Sequence, residues 1–320
     1  MEYKHFSIHT LDEGIFAAIH KEGGAAYSNA GIIDLGGSTV VFDTFDMAVA
    51  AKELMDACKD LTGRVPSWVI NSHKHGDHWG GNQVFGEKAV IVATHQTRSG
   101  MLAWGEELTK LGTNPREIET RIQQLVDKIK NEKDALQRAS LERSLVRNKY
   151  MLEDLPHFKF TPPTLTFSGT MSFRGTDRSV ELTSVEHAHT PEECYLTIPG
   201  TRIIFTGDLA FFACPPFIPQ DGSLEGWMNR LETLSNSDFK YFVPGHGPLG
   251  DSTDLIRQME YLRVMRDVVE EAINKKLSRE EILEIAEPSQ FSNWGIFPQR
   301  HDNNLRSIHF QLTREIKGGA

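Results

Sequence analysis

Cysteine is scarce in this 320-residue chain, occurring only as Cys58, Cys194 and Cys214. Three widely spaced thiols offer neither a disulfide framework nor a Cys-x-x-Cys metal site, and reduced thiols are the expectation. Long apolar runs are also missing. No segment approaches the roughly 18 to 20 unbroken apolar residues of a membrane span, so no membrane partner is expected. The opening MEYKHFSIHTL lacks the basic-then-apolar pattern of a secretory signal, which leads us to expect a cytoplasmic protein. Positive charge is in deficit, with 34 Lys and Arg against 44 Asp and Glu and a net charge of −10. Binding to phosphate backbones needs clustered cations, so no nucleic-acid partner is expected either. Nucleotide fingerprints are absent. No G-x-G-x-x-G occurs, and the stretch Gly81 to Lys88, which has phosphate-loop glycine spacing, carries Glu87 where the essential Lys must stand.

What the chain does have is a 39% hydrophobic composition, ample for a core. Short β-like runs cover Gly14 to His20, Ala30 to Asp34 and Thr39 to Asp43, separated by Gly23-Gly24 and Gly36-Gly37, which predicts an antiparallel meander. A helix over Met47 to Lys59, a strand at Ser67 to Ile70, a helical turn at Trp79 to Phe85 and a strand at Ala89 to Ala93 then form a β-α-β pattern. Between Pro115 and Asp154 glycine disappears, charge dominates, and Ile118, Ile122, Leu125 and Ile129 make a helical stripe; Leu141, Leu145 and Leu152 suit a second helix. We read residues 106–156 as an inserted helical hairpin within one domain spanning 1–320. A helical excursion packed on the core, a lid, or an arm through which a homo-oligomer forms all fit this pattern. Strand patterns return at Met171 to Arg174, Val180 to Glu186, Tyr195 to Ile198, Arg202 to Thr206 and Tyr241 to Val243. Helical segments are predicted at Leu224 to Leu234, Leu255 to Ala286 and Asn304 to Ile316. The class is α/β (α+β), with chemistry in loops at strand ends.

Chemistry concentrates in Asn71-Ser72-His73-Lys74-His75-Gly76-Asp77-His78-Trp79-Gly80-Gly81-Asn82, directly after the apolar Trp68-Val69-Ile70. Three imidazoles and a carboxylate within six residues are donor types suited to zinc. Six residues cannot fill two coordination spheres. Three further candidates follow other apolar runs: His189 in Glu186-His187-Ala188-His189-Thr190-Pro191, Asp208 in Thr206-Gly207-Asp208, and His246 in Pro244-Gly245-His246-Gly247.

Taken together, these residues resemble the metallo-β-lactamase superfamily, whose signature is H-x-H-x-D-H followed in order by a His, an Asp and a His. The resemblance implies a four-layer αββα sandwich with the site at one edge. It implies that His73, His75 and His189 hold one divalent ion, that Asp77, His78 and His246 hold a second, and that Asp208 bridges them. Zinc is the first expectation, with iron or manganese as alternatives. Two ions a few Å apart lower the pKa of a water between them, and Asp77 is the expected catalytic residue, orienting the nucleophile and moving a proton. The sequence departs from the family pattern at Ala188, where Gly is usual, so His187 competes with His189, although the His-Thr-Pro continuation favours the latter. His75 stands where redox diiron relatives carry a carboxylate, and Asp208 where several true β-lactamases carry a metal-binding Cys. Both point to hydrolysis other than dedicated antibiotic cleavage.

The substrate expected is a small molecule, partly apolar, with a lactone, thioester or amide carbonyl, if Trp79, Phe211, Phe212, Phe217, Trp227, Trp294 and Phe297 line the pocket. No basic cluster stands out over Pro288 to Arg314, though Arg300 and Arg306 are placed to meet an acid. A mononuclear iron persulfide dioxygenase is the alternative enzyme, followed by a phosphodiesterase or nuclease of the same superfamily.

Overall fold

Glycine turns and alternating apolar residues near the N-terminus fold as a meander in the computed structural model, which describes residues 2–291, 294 and 298–318. Strands β1 (Phe6–Asp12), β2 (Ile15–His20), β3 (Ala30–Asp34) and β4 (Thr39–Phe42) pair antiparallel in sequence order. Helix α1 (Ala48–Thr62) then carries the chain back to β5 (Trp68–Ile70), which lies parallel to β4, because parallel neighbours need a crossover. The loop from Asn71 and the short helix α2 (Asn82–Phe85) lead to β6 (Val90–Thr94), also parallel.

Three helices follow: α3 (His95–Thr113), α4 (Pro115–Asn131) and α5 (Ala135–Asp154). They end at β7 (Leu165–Phe167), which closes the seven-stranded sheet beside β6. The hairpin expected over Pro115 to Asp154 is α4 and α5, with Pro115 opening one helix and the Asp134 carboxylate capping the other. Ile118 and Leu125 are buried, while Ile122 and Ile129 are half-buried. Helix α3 was not legible in the sequence, since it buries only Thr97, Met101 and Gly105 and shows no apolar stripe.

The second sheet runs β12-β11-β10-β9-β8, built from β8 (Thr170–Arg174), β9 (Ser179–Glu186), β10 (Glu192–Thr197), β11 (Ile203–Phe211) and β12 (Tyr241–His246). Its first four strands in chain order pair antiparallel; β12 returns parallel to β11 after α6 (Leu224–Ser235). Helices α7 (Ser252–Asn274), α8 (Arg279–Leu283) and α9 (Pro298–Gly318) complete the described chain. The helical segments expected over Leu255 to Ala286 are α7 and α8, parted at Lys276, whose φ is 59°, with a Ser278 capping box opening α8.

Side chains alternating along each strand produce the layers. Ala18, Ile32, Val41, Val69 and Ile91 pack on Ala50, Leu54 and Ala57 of α1. The residues between them, including Ile33, Val40, Phe42, Ile70 and Val92, meet Leu182, Cys194, Leu196, Phe205 and Val243 of the facing sheet. The far face of that sheet is covered by Trp227 and Leu231 of α6, Leu255 and Leu262 of α7, and Leu305 and Ile308 of α9. The result is the αββα sandwich. No helix among the described residues is long and apolar enough to cross a membrane.

Candidate metal centre

The loop after β5 leaves the sheet at its carboxyl edge, where ligands of open α/β sheets collect. Asn71 and Asn82 exchange side-chain hydrogen bonds across its base, at 3.0 and 2.9 Å, and Trp79 Nε1 donates to the Lys74 carbonyl at 2.7 Å. These bonds hold the turn that aims His73, His75, Asp77 and His78 inward. His73, His78 and His189 are fully buried.

The other candidates arrive from the second sheet. His189 follows β9, and its Nε2 lies 3.1 Å from His75 Nδ1, which in turn lies 2.9 Å from His73 Nε2. His187 is exposed, with φ at 54°, and stands apart from this group. Asp208 and His246 belong to β11 and β12 themselves, slightly earlier in the fold than the loops expected. A register shift around Gly207 turns Asp208 toward the centre. Gly245 is required beside it, because a Cβ there would overlap Asp208 Oδ1.

Asp208 sits between two groups. Its Oδ2 faces His73 Nε2 at 3.5 Å and His189 Nε2 at 3.3 Å, while its Oδ1 faces His78 Nε2 at 3.1 Å and His246 Nε2 at 3.4 Å. Asp77 Oδ2 is 3.4 Å from His246 Nε2. Ligand atoms of His73, His75, His189 and Asp208 lie within 4.8 Å of one another, as do those of Asp77, His78 and His246.

The partners on the far side of each ring decide which nitrogen offers a lone pair. His78 Nδ1 donates to Asp43 Oδ2 at 2.7 Å. His73 Nδ1 lies 3.0 Å from Ser72 Oγ, which itself donates to Asp43 at 2.8 Å. His246 Nδ1 donates to the Tyr27 carbonyl at 3.1 Å. In their neutral form, rings bonded this way at Nδ1 would turn the lone pair of Nε2 to the centre, the arrangement found around metal-ligating histidines. Neither His78 Nε2 nor Asp208 Oδ1 makes a hydrogen bond among the described residues, although both are buried.

Electrostatics agree. Burial, reinforced by His78, holds the His73 imidazole well below its ordinary range, and burial with His189 pushes His75 down to about 3, so both are neutral donors. Burial would raise Asp208, but His78, His246 and His73 outweigh it and hold the carboxyl well below its usual range. Burial would likewise lower His78, yet Asp208 and Asp43 raise it well above normal. The carboxylates thus demand positive charge at the point where the lone pairs converge. Buried carboxylates and neutral imidazoles around one point are a donor set that fits divalent cations, zinc among them.

A cavity of about 1080 Å³ opens onto His75, Asp77, Asp208 and His246. Much of its wall comes from the inserted helices, through Trp104 and Leu108 of α3, Arg121 of α4, and Arg147 and Met151 of α5. Most of the aromatic residues expected in the pocket are core instead: Trp79, Phe211, Phe212, Trp227 and Trp294 are buried. Phe211 stacks on His246 at 5.0 Å, and Trp227 meets His189 edge-on at 4.9 Å, so both brace imidazoles of the cluster. Phe217 does line the cavity, joined by Tyr27, Trp104 and Phe158; Phe297 lies outside the described residues. Arg300 lines it as expected. Asp43 was missed, and its only signal was an Asp directly after the apolar strand β4. Arg121 and Arg147 were missed because nothing local distinguishes them from other helical arginines.

Comparison with known proteins gives a consistent picture. No curated protein matches the chain. Among solved structures, a stereoselective inverting sec-alkylsulfatase, Pisa1 from Pseudomonas sp., superposes with a TM-score of 0.65 at 16% identity, over 95% of this chain and 50% of its own; the chain thus spans half of that enzyme's length. A metallo-beta-lactamase from Pontibacter korlensis has a TM-score of 0.54 at 16% identity, over 81% of this chain and 99% of its own. The metallo-beta-lactamase DIM-1 also has a TM-score of 0.54 at 16% identity, over 82% and 99%. These likenesses show the fold. The family model of the metallo-beta-lactamase superfamily matches residues 23–246, well over half the chain and from the meander to the last His of the cluster, so the chain belongs to that superfamily.

Proposed function

We propose that this protein is a dinuclear metal-dependent hydrolase of small molecules. The observation that carries this reading is Asp208, whose two oxygens each face a separate group of imidazoles. His73, His75 and His189 would hold one ion, Asp77, His78 and His246 the other, with Asp208 between. Bound there, divalent ions, zinc first, supply Lewis acidity and a water acidic enough to react near neutral pH. Asp77 is the half-buried carboxylate that faces both the cavity and His246, placed to take a proton from the nucleophile and return it to the leaving group. Tyr27, Trp104 and Phe217 give the substrate an apolar surface, which supports a lactone, thioester or amide with an apolar part.

Sulfate ester hydrolysis is the second reading, supported by Arg147 and Arg300 in the cavity wall and by the likeness to an alkylsulfatase over nearly the whole chain. The test is metal analysis of the purified protein together with a hydrolysis screen over lactones, thioesters, amides and sulfate esters. Two ions per chain are expected, with activity lost in Asp208→Ala. Full activity in metal-free protein would overturn the reading.

A further inference from the structure

Positive charge is in deficit in this chain, yet it gathers in one place. Between α4, α5 and α9 lies a recess of about 470 Å³ whose wall carries Arg121, Lys128, Arg143, Arg147 and Arg300, with no carboxylate among its described lining residues. Gathering five cations around a recess whose described lining holds no carboxylate makes its interior attractive to an anion. Three of the arginines are held from outside the recess: Arg121 by Glu117, Arg143 by Glu22 at 3.2 Å, and Arg147 by Asp46 at 3.0 Å. A guanidinium has five N–H donors, so pairing with one carboxylate orients it without using up its capacity to donate. Arg147 lies 4.0 Å over the Tyr27 ring and Arg300 5.8 Å from the Phe217 ring centre, stacking that stiffens both.

The recess opens into the metal cavity. Tyr27, Arg121, Arg147, Phe217 and Arg300 line both, whereas none of the seven His and Asp residues of the centre lines the recess. The arginines shared by the two spaces thus stand between the centre and the recess, within the path of a molecule that extends from Asp208 toward α4 and α5. We propose that the recess is an oxyanion-anchoring subsite, holding a carboxylate, sulfate or phosphate group that the substrate carries away from the bond to be broken. The proposal rests on the hydrolase reading for that bond and on the recess alone for the anchor. Charge-assisted bonds from planar guanidinium forks supply the recognition.

The experiment is calorimetric titration of the full-length protein, as purified and after metal removal, with benzoate, benzenesulfonate, phenyl phosphate and the neutral benzamide. At least one anion should bind about tenfold or more tightly than benzamide, before and after metal removal, and more weakly as salt rises. Which anion is preferred identifies the oxyanion. Arg300→Gln and, separately, the exposed Lys128→Gln should each weaken that anion about tenfold or less, the larger loss falling on Arg300. Benzamide binding as well as the anions, or anion binding unchanged in both variants, would overturn the subsite. In parallel, the preference in kcat/KM for an ester carrying a distal carboxylate over its neutral analogue should fall in Arg300→Gln. Anion binding with this arginine dependence, but no hydrolysis of any ester, would sink the hydrolase reading and leave the subsite standing. Equal hydrolysis of charged and neutral esters by the unaltered protein would do the reverse.

Discussion

Asp43 touches none of the proposed ions, yet it fixes the rings of His78 and, through Ser72, His73. Burial holds its carboxyl above the ordinary range, the neighbouring His78 offsetting only part of that rise. Asp43→Asn keeps the shape but removes the charge and one acceptor, so metal affinity should fall about 10- to 100-fold, measurable by equilibrium dialysis. Unchanged affinity would mean that the rings are held by packing alone. Asp77→Asn addresses chemistry instead. Burial would raise the Asp77 carboxyl, but the His246 hydrogen bond and the His78 and His246 charges hold it well below its ordinary range, so it is an anion at neutral pH. Its replacement should lower kcat about 10²- to 10⁴-fold with KM little changed, read from steady-state kinetics at measured metal content. The cluster of four in the loop was plain in the sequence because unlike donors fell within six residues. Asp43 was not, because an isolated Asp after a strand has many uses.

Among the elements, the loop that carries the first four donors is pressed against the loop between β4 and α1. A Cβ at Gly81 would overlap the Thr44 carbonyl and the Ala51 side chain, and one at Gly80 would overlap the Asp46 carbonyl. Backbone cannot retreat there, since Gly81 N also donates to the Phe45 carbonyl. Gly81→Ala should therefore cost about 1–3 kcal/mol, seen as a lowered midpoint in denaturant unfolding. A variant as stable as the parent would show that the loop shifts freely. The inserted helices act at this scale as well. Their apolar stripe revealed that α4 and α5 exist, while Trp104, Arg121 and Arg147 reach the metal cavity only because α3, α4 and α5 fold over it.

For the whole molecule, the proposed metal centre predicts a link between metal and stability. An ion that binds only the folded chain at a hundred times its Kd adds about 2.7 kcal/mol per site. Chelation should lower the melting temperature and zinc should restore it; a melting temperature indifferent to both would remove the metal centre from the account. Acid and base act separately through Glu193 of β10, whose carboxyl is pushed up from 4.5 to about 8, chiefly by burial. A carboxyl raised by folding stabilises the fold while protonated. Its contribution is complete below pH 4.5 and is lost as pH rises through about 8. Glu193→Gln should flatten the fall in melting temperature across that window, and an unchanged pH profile would place the effect elsewhere.

The period-two strands, the glycine turns and the run from His73 to His78 are local properties, and local chemistry settles them: alternation builds sheets, and unlike donors crowded into one loop seek a cation. His189, Asp208 and His246 stood out only through the resemblance to a family pattern, since a lone His or Asp after a strand has many uses. Other features depended on bringing distant segments together. Asp208 came to face two groups of imidazoles because β11 and β12 run side by side against the loop after β5. Arginines at positions 121, 143, 147 and 300, scattered along three helices, became one basic recess only through packing. Charge acts through space rather than along the chain, so that recess had no linear signature to read.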